Sequence, residues 1–487
     1  VGSVVGLVWI GSLFVATPLV GGFGISAVAQ AVIASSPGWL STAVIGLFGE
    51  LAQPILMASV VVGIAGVSAV LGMLWPYSPG TTTTKRVAAV AFGAVATAVV
   101  LFANGAPLGP GFVVAVVLAL AVPALAGWVL AAPAHTPANR RPFLRRTAAV
   151  VIGSALGFAA LRQVTERLGG PTASMRAGDP LDRSVSQPAG DSRFDFGGMP
   201  TAVTPPEDHY TVDINVENPT IDPETWSLDI GGEVERPYSL SYDDLLDHDE
   251  SVETTMTMIC ISNSVGGDLI GTGHWTGVQL SDLVAAADPS DDAVDVVTYA
   301  ADGYSEAIPI EIAEREDVLI AYGMDENTLE PEHGFPARLL VPGRYGMKMT
   351  KWIDGIEVSS ESHEAYWQER GWDEEAVVNT TSYIRTIQRD EGTVAVGGVA
   401  FAGLETGVEE IRAVEVSVDG GDTWSEADHE EQLDPHAWRR WRAEFDEPDG
   451  TFEVVARAVE RDGEVQTEAE SDGAPGGSTG WHRIEVD

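Results

Sequence analysis

The chain has 487 residues, and its 27 Lys and Arg stand against 71 Asp and Glu, a net charge of −44. Its one cysteine excludes a disulfide framework, a Cys-ligated iron–sulfur cluster, a thiolate-rich zinc site and CxxCH haem attachment. The acidic excess excludes nucleic acid as a partner, because nothing would neutralise its phosphates. The charge is unevenly placed. Residues 1–160 hold one acid, Glu50, and six bases, whereas the remainder holds 70 acids against 21 bases. Only three lysines occur, Lys85, Lys348 and Lys351, and an acid-rich, Lys-poor surface suits a protein kept soluble in high salt.

The apolar runs 1–33, 51–75, 87–103, 111–132 and 147–161 read as an N-terminal all-α transmembrane bundle of about five helices over 1–161, since a span takes about 20 apolar residues. Lys85 and Arg86 and the cluster Arg140–Arg146 fall in alternate connections, which places the N-terminus in the cytoplasm and everything after the fifth span outside. Membrane lipid is then a partner, and the localisation is a multi-pass cell-membrane protein with an extracytoplasmic catalytic domain. Asn139-Arg140-Arg141-Pro142-Phe143-Leu144-Arg145 also matches a twin-arginine export consensus. None of the nine histidines lies inside an apolar run, so a bis-His membrane haem is not expected.

Residues 162–208, rich in Gly, Pro, Ser, Asp and Arg, read as a linker. Strand-like runs at Trp226–Ile230, Thr254–Ile259, Val294–Tyr299 and Arg338–Val341 alternate with helical stretches at Asp243–Leu246 and Leu280–Ala287, an α+β pattern over 209–378. From 379 to 487 the alternation at Val394–Val399, Val414–Val418 and Phe452–Val459, with turns such as Asp419-Gly420-Gly421, reads as an Ig-like β-sandwich.

Cys260 ends a strand-like run and enters a Gly-rich loop. As the only thiol it could be a buried small hydrophobe, a nucleophile of a Cys–His–Asn hydrolase with His274 or His333 and Asn263, or a soft metal ligand. A non-catalytic Ig-like surface module is a further alternative.

Cys260-Ile261-Ser262-Asn263, Trp275-Thr276-Gly277-Val278, Asp302-Gly303-Tyr304, His333-Gly334-Phe335-Pro336-Ala337-Arg338, Val341-Pro342-Gly343, Lys351-Trp352 and Val414–Trp424 together resemble the sulfite oxidase family of molybdopterin enzymes. The resemblance covers about 210–487 in order and spacing. It implies molybdenum–molybdopterin as cofactor, with Cys260 as the one protein ligand to the metal. It places Thr211, Asn215, Asp302, His333, Arg338, Thr350 and Lys351 at pterin-holding positions, with Arg338 and Lys351 suited to its phosphate.

The departures concern substrate. Asp213 replaces a family arginine, Ser264 and Val265 replace an Arg-Arg pair, and Trp372 stands where the family has its active-site tyrosine. Arg344, Lys348, His274 or Arg370 are the available substitutes for a cationic cage. The implied function is two-electron oxygen-atom transfer at a small sulfur-containing substrate, as sulfite oxidation or sulfoxide reduction. No second redox centre is visible, so a separate electron carrier is implied: a small copper or haem protein, or a quinone-linked partner. A homodimer through the C-terminal domain is also implied.

Overall fold

The computed structural model describes residues 177–487, apart from 187, 216, 217, 391, 405 and 406, together with helix α1 (Ala52–Leu74) and a few short helical pieces before residue 124. The membrane bundle is not supported. A span needs about 20 continuous apolar residues in one helix, and among the described residues no helix is long and apolar enough to cross a membrane. The multi-pass localisation and the sidedness derived from it fall with that bundle. Most of the other four apolar runs, and the twin-arginine motif at 139–145, lie outside the described residues.

The α+β expectation is corrected as well, because the described part is mostly β. Its helices beyond residue 200 are short pieces: α2 (Tyr242–Leu246), α3 (Leu280–Ala286) and α4 (Ile310–Ala313). One or two turns cannot form a layer. They hold locally, as where Ser241 and Asp244 form a reciprocal capping box on α2, a device that contributes about 1 kcal/mol.

The chain divides into two compact units, and residues 177–213 and Ile221–Asp487 belong to one of them. Within that unit, strands β1 (Ser227–Gly232), β2 (Tyr238–Ser241), β5 (Asp295–Ala300), β6 (Ser305–Pro309) and β10 (Ile353–Ser359) form a sheet in the order β2-β1-β10-β5-β6. Its one parallel pairing joins β1 to β10, with Asp229 opposite Gly355. A second sheet is built from β3 (Ser251–Ile259), β4 (Ile270–Gln279), β7 (Leu319–Met324), β8 (Asn327–Thr328) and β9 (Arg338–Leu340). Apolar residues from both sheets, among them Leu228, Ile230, Trp275, Val278, Ile320 and Leu339, share one core with α2 and α3. That shared burial holds the two sheets together.

Two four-stranded antiparallel sheets follow, beside a two-stranded ribbon of β13 (Gly403–Leu404) and β14 (Gly407–Val408). The first takes β11 (Thr381–Asp390), β12 (Thr393–Phe401), β18 (Arg439–Asp446) and β17 (Asp428–His429); the second takes β16 (Ser425–Glu426), β15 (Ile411–Ser417), β19 (Phe452–Glu460) and β20 (His482–Val486). Alternate residues point inward, so Val394, Val396 and Trp441 meet Val414, Val416, Val454 and Ala456 in one core.

The later part of the stretch read as a linker is packed. Phe194 is buried, Thr204 N donates to Thr272 O at 2.7 Å, and Arg440 holds Asp195 at 2.7 Å and Glu430 at 2.7 Å.

Candidate functional site: a cysteine loop beside a buried cationic pocket

Strands β3 and β4 pair antiparallel from Ser251 opposite Val278 to Ile259 opposite Ile270, so the loop 260–269 closes one end of the hairpin. Cys260 is its first residue, and its amide donates to Leu269 O at 3.0 Å. Asn263 braces the loop from inside: its amide donates to Cys260 O at 2.9 Å, and its side-chain oxygen accepts from Leu269 N at 3.0 Å. The thiol is buried, with Sγ 3.0 Å from Ser262 Oγ. Burial pushes the Cys260 thiol up, partly offset by the Ser262 hydrogen bonds. Left to the protein alone it stays a thiol, and a bound cation of high charge is what would ionise it.

An aromatic cluster lies against this loop. Tyr345, Met347 and Trp372 share a core with Ile259 and Ile261, and Trp372 stacks on Trp367 with centroids 3.9 Å apart and planes 13° apart. Arg344 is buried, and its backbone forms a bridge to Val377.

His274 lies elsewhere. It faces Thr255 across the hairpin, four residues along β4 from Ile270, which is roughly 13 Å of strand. Its Nδ1 is 2.9 Å from Thr255 Oγ1, and its Nε2 is 3.5 Å from a Glu253 carboxylate oxygen. Asn263 is consumed in the loop brace, and His333 Nε2 lies 2.9 Å from Pro206 O. Each residue of the hydrolase set is thus engaged away from the thiol.

The second half of the site is a buried cationic pocket centred on Arg338, the first residue of β9. Arg338 Nη1 donates to His333 O at 3.1 Å, and its guanidinium lies 5.3 Å from the Trp275 ring centre. His209 stands edge-on to both His333 and Trp275, with centroids 5.8 and 6.0 Å away. Lys351 Nζ donates to Asp213 Oδ2 and to Glu332 O, each at 3.0 Å, and lies 4.5 Å from the Trp352 ring centre.

Burial dominates the electrostatics here. It takes His209 down to about 3 and His333 to about 4, helped in each case by nearby positive charge. It lowers Arg338 to about 10, and it lowers Lys351 against the pull of Asp213. At neutral pH both imidazoles are therefore uncharged, and the pocket's cations are Arg338 and Lys351, the second already matched by Asp213. Tyr210 lies within electrostatic reach of both Cys260 and Arg338, which joins the pocket to the loop.

Two further sequence candidates, Thr350 and Asp302, neighbour Lys351. Thr350 Oγ1 is buried 2.7 Å from Thr298 Oγ1. Asp302 accepts from Tyr304 N at 2.9 Å in the turn between β5 and β6, and its charge acts on Lys351. Thr211 is exposed. Asn215 is buried, in the segment Ile214–Thr220 that belongs to the other compact unit.

His209, Tyr210 and Glu306 belong to the site's surroundings without having been singled out from the sequence, and Trp275 was marked there only as part of a family motif. The aromatic pair His209-Tyr210, just ahead of the Thr211–Asn215 segment, was a usable signal for the first two. Nothing local marked Glu306, whose buried carboxylate accepts from Lys348 Nζ at 2.9 Å, Gln368 Nε2 at 3.0 Å and Tyr304 Oη at 3.0 Å.

Whether a pterin phosphate and a thiolate-bound metal would fit can be judged from the donors left over. Among the described residues, Arg338 Nε, Tyr210 Oη and Trp275 Nε1 are buried without a hydrogen-bond partner. Leaving such groups unpaired costs about 1–3 kcal/mol each. The arginine's own Nε with two such groups beside it, and a lone buried thiol nearby, make the donor set that an anionic cofactor with a soft-ligated metal would complete. The residues present fit the group.

Comparison with known proteins agrees. The chain matches the oxidoreductase molybdopterin binding domain over residues 215–367 and the Mo-co oxidoreductase dimerisation domain over 370–487. It is 30% identical to mitochondrial sulfite oxidase of Mus musculus over 325 residues, covering 55% of this chain and 58% of that protein. It is 26% identical to the NAD(P)H nitrate reductase of Hordeum vulgare, covering 53% of this chain and 36% of that one. The chain thus spans less than two thirds of the length of these relatives. The crystal structure of the sulfane dehydrogenase SoxCD from Paracoccus pantotrophus superimposes with a TM-score of 0.52 at 22% identity, covering 64% of this chain and 88% of that one, a likeness of fold. With both domain matches adjacent and in order, and with the cysteine loop and cationic pocket both falling within residues 209–351, the chain belongs to the sulfite oxidase family of molybdopterin-dependent oxidoreductases.

Proposed function

We propose that this protein is a molybdopterin oxidoreductase that moves one oxygen atom to or from a small sulfur compound, sulfite or a sulfoxide, in a two-electron reaction. Oxidation of sulfite takes an oxygen from water and releases two protons and two electrons. Reduction of a sulfoxide consumes two of each and releases water. The observation that supports the reading is the lone buried thiol of Cys260, on a loop braced by Asn263, next to a pocket whose buried arginine still has an N–H to give.

When bound, the cofactor supplies the redox change and the oxygen transfer itself. The chain's own residues hold and orient. Cys260 would be the metal ligand, its proton lost on coordination. Arg338 and Lys351 would face the phosphate, with Arg338 offering a planar fork and Lys351 a point charge partly spent on Asp213. His333, Asp302, Thr350 and Thr211 would line the pterin, and neutral His209 and His333 would serve there as donors or acceptors. The Trp372–Trp367 stack would exclude water beside the loop.

We read residues 209–378 as the cofactor domain and 379–487 as a dimerisation domain, giving a homodimer. Electrons would pass singly to or from a separate carrier, a small copper or haem protein or a quinone-linked partner.

The test is metal and pterin analysis of the purified chain, followed by sulfite-oxidation and sulfoxide-reduction assays in high salt. The expected result is about one molybdenum per chain, absent in Cys260→Ser. Metal-free protein that retains activity would overturn the reading.

A further inference from the structure

The cysteine loop is gripped from outside as well as braced from within, and the grip comes from the C-terminal domain. Arg385, on β11, donates from Nη1 to Gly266 O at 3.1 Å and from Nη2 to Gly267 O at 2.8 Å. The same fork reaches Asp268 Oδ1 at 3.1 Å, but that carboxylate is 99% exposed while the Arg385 side chain is 13% exposed. Solvent screens the ion pair, so the two carbonyl bonds, charge-assisted and largely out of water, carry the interaction.

Three neighbours complete the grip. Asn263 Nδ2 donates to Tyr383 Oη at 3.4 Å. His482, its Nδ1 accepting from Ile384 N at 2.9 Å, packs its ring on Gly266, where φ is +74° and a Cβ would enter the ring. Gly473 brings its backbone so close that a Cβ there would stand 2.8 Å from Ile261 O.

We propose that Arg385 is a positioning residue for the cysteine loop: its guanidinium fork, by holding the Gly266 and Gly267 carbonyls, fixes where Cys260 presents its sulfur, so that the C-terminal domain is part of the cofactor site's framework as well as a domain of its own. A planar fork on a mostly buried stem holds two successive carbonyls in a fixed geometry, with one nitrogen for each, which a single ammonium nitrogen does not. Asn263 is shared between the inner brace and the outer grip, which couples the two. The functional meaning rests on Cys260 being the metal ligand, whereas the grip itself does not.

The test uses the full chain with Arg385→Met and Arg385→Lys. Hydrogen exchange by mass spectrometry is read over residues 261–269 and over β19, the latter reporting the core of the C-terminal domain. The labelling rate of Cys260 by iodoacetamide is read on the same samples, unambiguous because the chain has one thiol. In Arg385→Met, exchange over 261–269 and Cys260 labelling are expected to rise about tenfold or more, with β19 unchanged.

Arg385→Lys, which keeps charge and stem but has no fork, is expected to fall between wild type and Arg385→Met. It decides the matter if the Met variant does not fold. Arg440→Met, which removes a buried ion pair at 0% exposure elsewhere in the same domain, is expected to lower the melting temperature without changing Cys260 labelling. Loop exchange and labelling equal to wild type in the folded variants, or acceleration shared equally by β19, would overturn the proposal. Molybdenum analysis of the same variants separates the two readings: a loosened loop in a chain that never binds molybdenum would leave the grip standing and remove the metal-ligand role.

Discussion

Replacing Lys348 by Met leaves the Glu306 carboxylate without its counter-ion at a place where neither side chain meets solvent: their exposures are 4% and 0%, and Nζ lies 2.9 Å from Oε1. At that separation the attraction is about 6 kcal/mol for an effective dielectric near 20. Ala307 N, Gln368 Nε2 and Tyr304 Oη, each at 3.0 Å, continue to solvate the carboxylate and return part of it. Breaking a buried pair from one side therefore lands near the usual range, about 4 kcal/mol, or roughly 6 °C in melting temperature for a fold of this size.

The penalty should depend on pH with a definite sign. Burial already pushes the Glu306 carboxyl up, with Lys348 opposing it. Removing the ammonium raises it further above its unfolded value of about 4.3. A carboxyl raised in the folded state binds its proton more tightly there, so the variant's deficit is small below pH about 4 and grows as pH rises through the folded value. Thermal melts of wild type, Lys348→Met and the double variant Glu306→Gln/Lys348→Met at pH 5 and pH 8 measure this, and the double variant should recover more than half the loss. A deficit under about 1 kcal/mol, or no recovery in the double variant, would refute the reasoning.

Arg338→Lys keeps a charge but loses the fork, and pterin recovered by fluorescence from the purified variant should fall about tenfold; undiminished pterin would count against Arg338 as a phosphate partner. His209 and His333 are held neutral, at about 3 and about 4 against roughly 6.5 when unfolded. They contribute stability that is present above pH 6.5 and lost as pH falls toward 4, so His209→Phe should flatten the melting-temperature slope in that window, and an unchanged slope would count against it. Gly266→Ala, with φ at +74° and the His482 ring in the way, should cost at least about 2 kcal/mol and speed exchange over 261–269; a variant as stable as wild type would mean that the loop has room the structure does not show.

What the sequence made legible was local. The run Thr254–Ile259 holds the buried end of β3, Leu280–Ala287 is α3 with its C-terminal cap, and Cys260 stands at the strand's end as its pattern implied. The family motifs carried the identity of the cofactor domain. Pairings made across long stretches of chain were not legible. Asp213 looked like a mere loss of positive charge, and it sits on Lys351, 138 residues away. Lys348 was a candidate for a substrate cage until Glu306 was found to hold it. His274 was close to Cys260 in number, but antiparallel register converts a short separation along β4 into distance from the loop. Periodicity records which face is buried and says nothing of the partner it is buried against. The five-span anchor failed for a related reason: apolar runs and the basic residues between them were read as a bilayer address.

The outer grip on the cysteine loop also sets an order of assembly. The loop's own hairpin is complete once β4 has been made, yet Arg385, Gly473 and His482, which close over it, come off the ribosome long after Cys260. Even the first sheet must wait, because β10 slots in beside β1 only after the intervening strands exist. A nascent or truncated chain would hold the thiol in a loose hairpin, whereas the finished chain holds it in a set position. On the proposed cofactor site, a chain that stopped before β20 would hold its metal less firmly even though every residue proposed to face the cofactor had already been made.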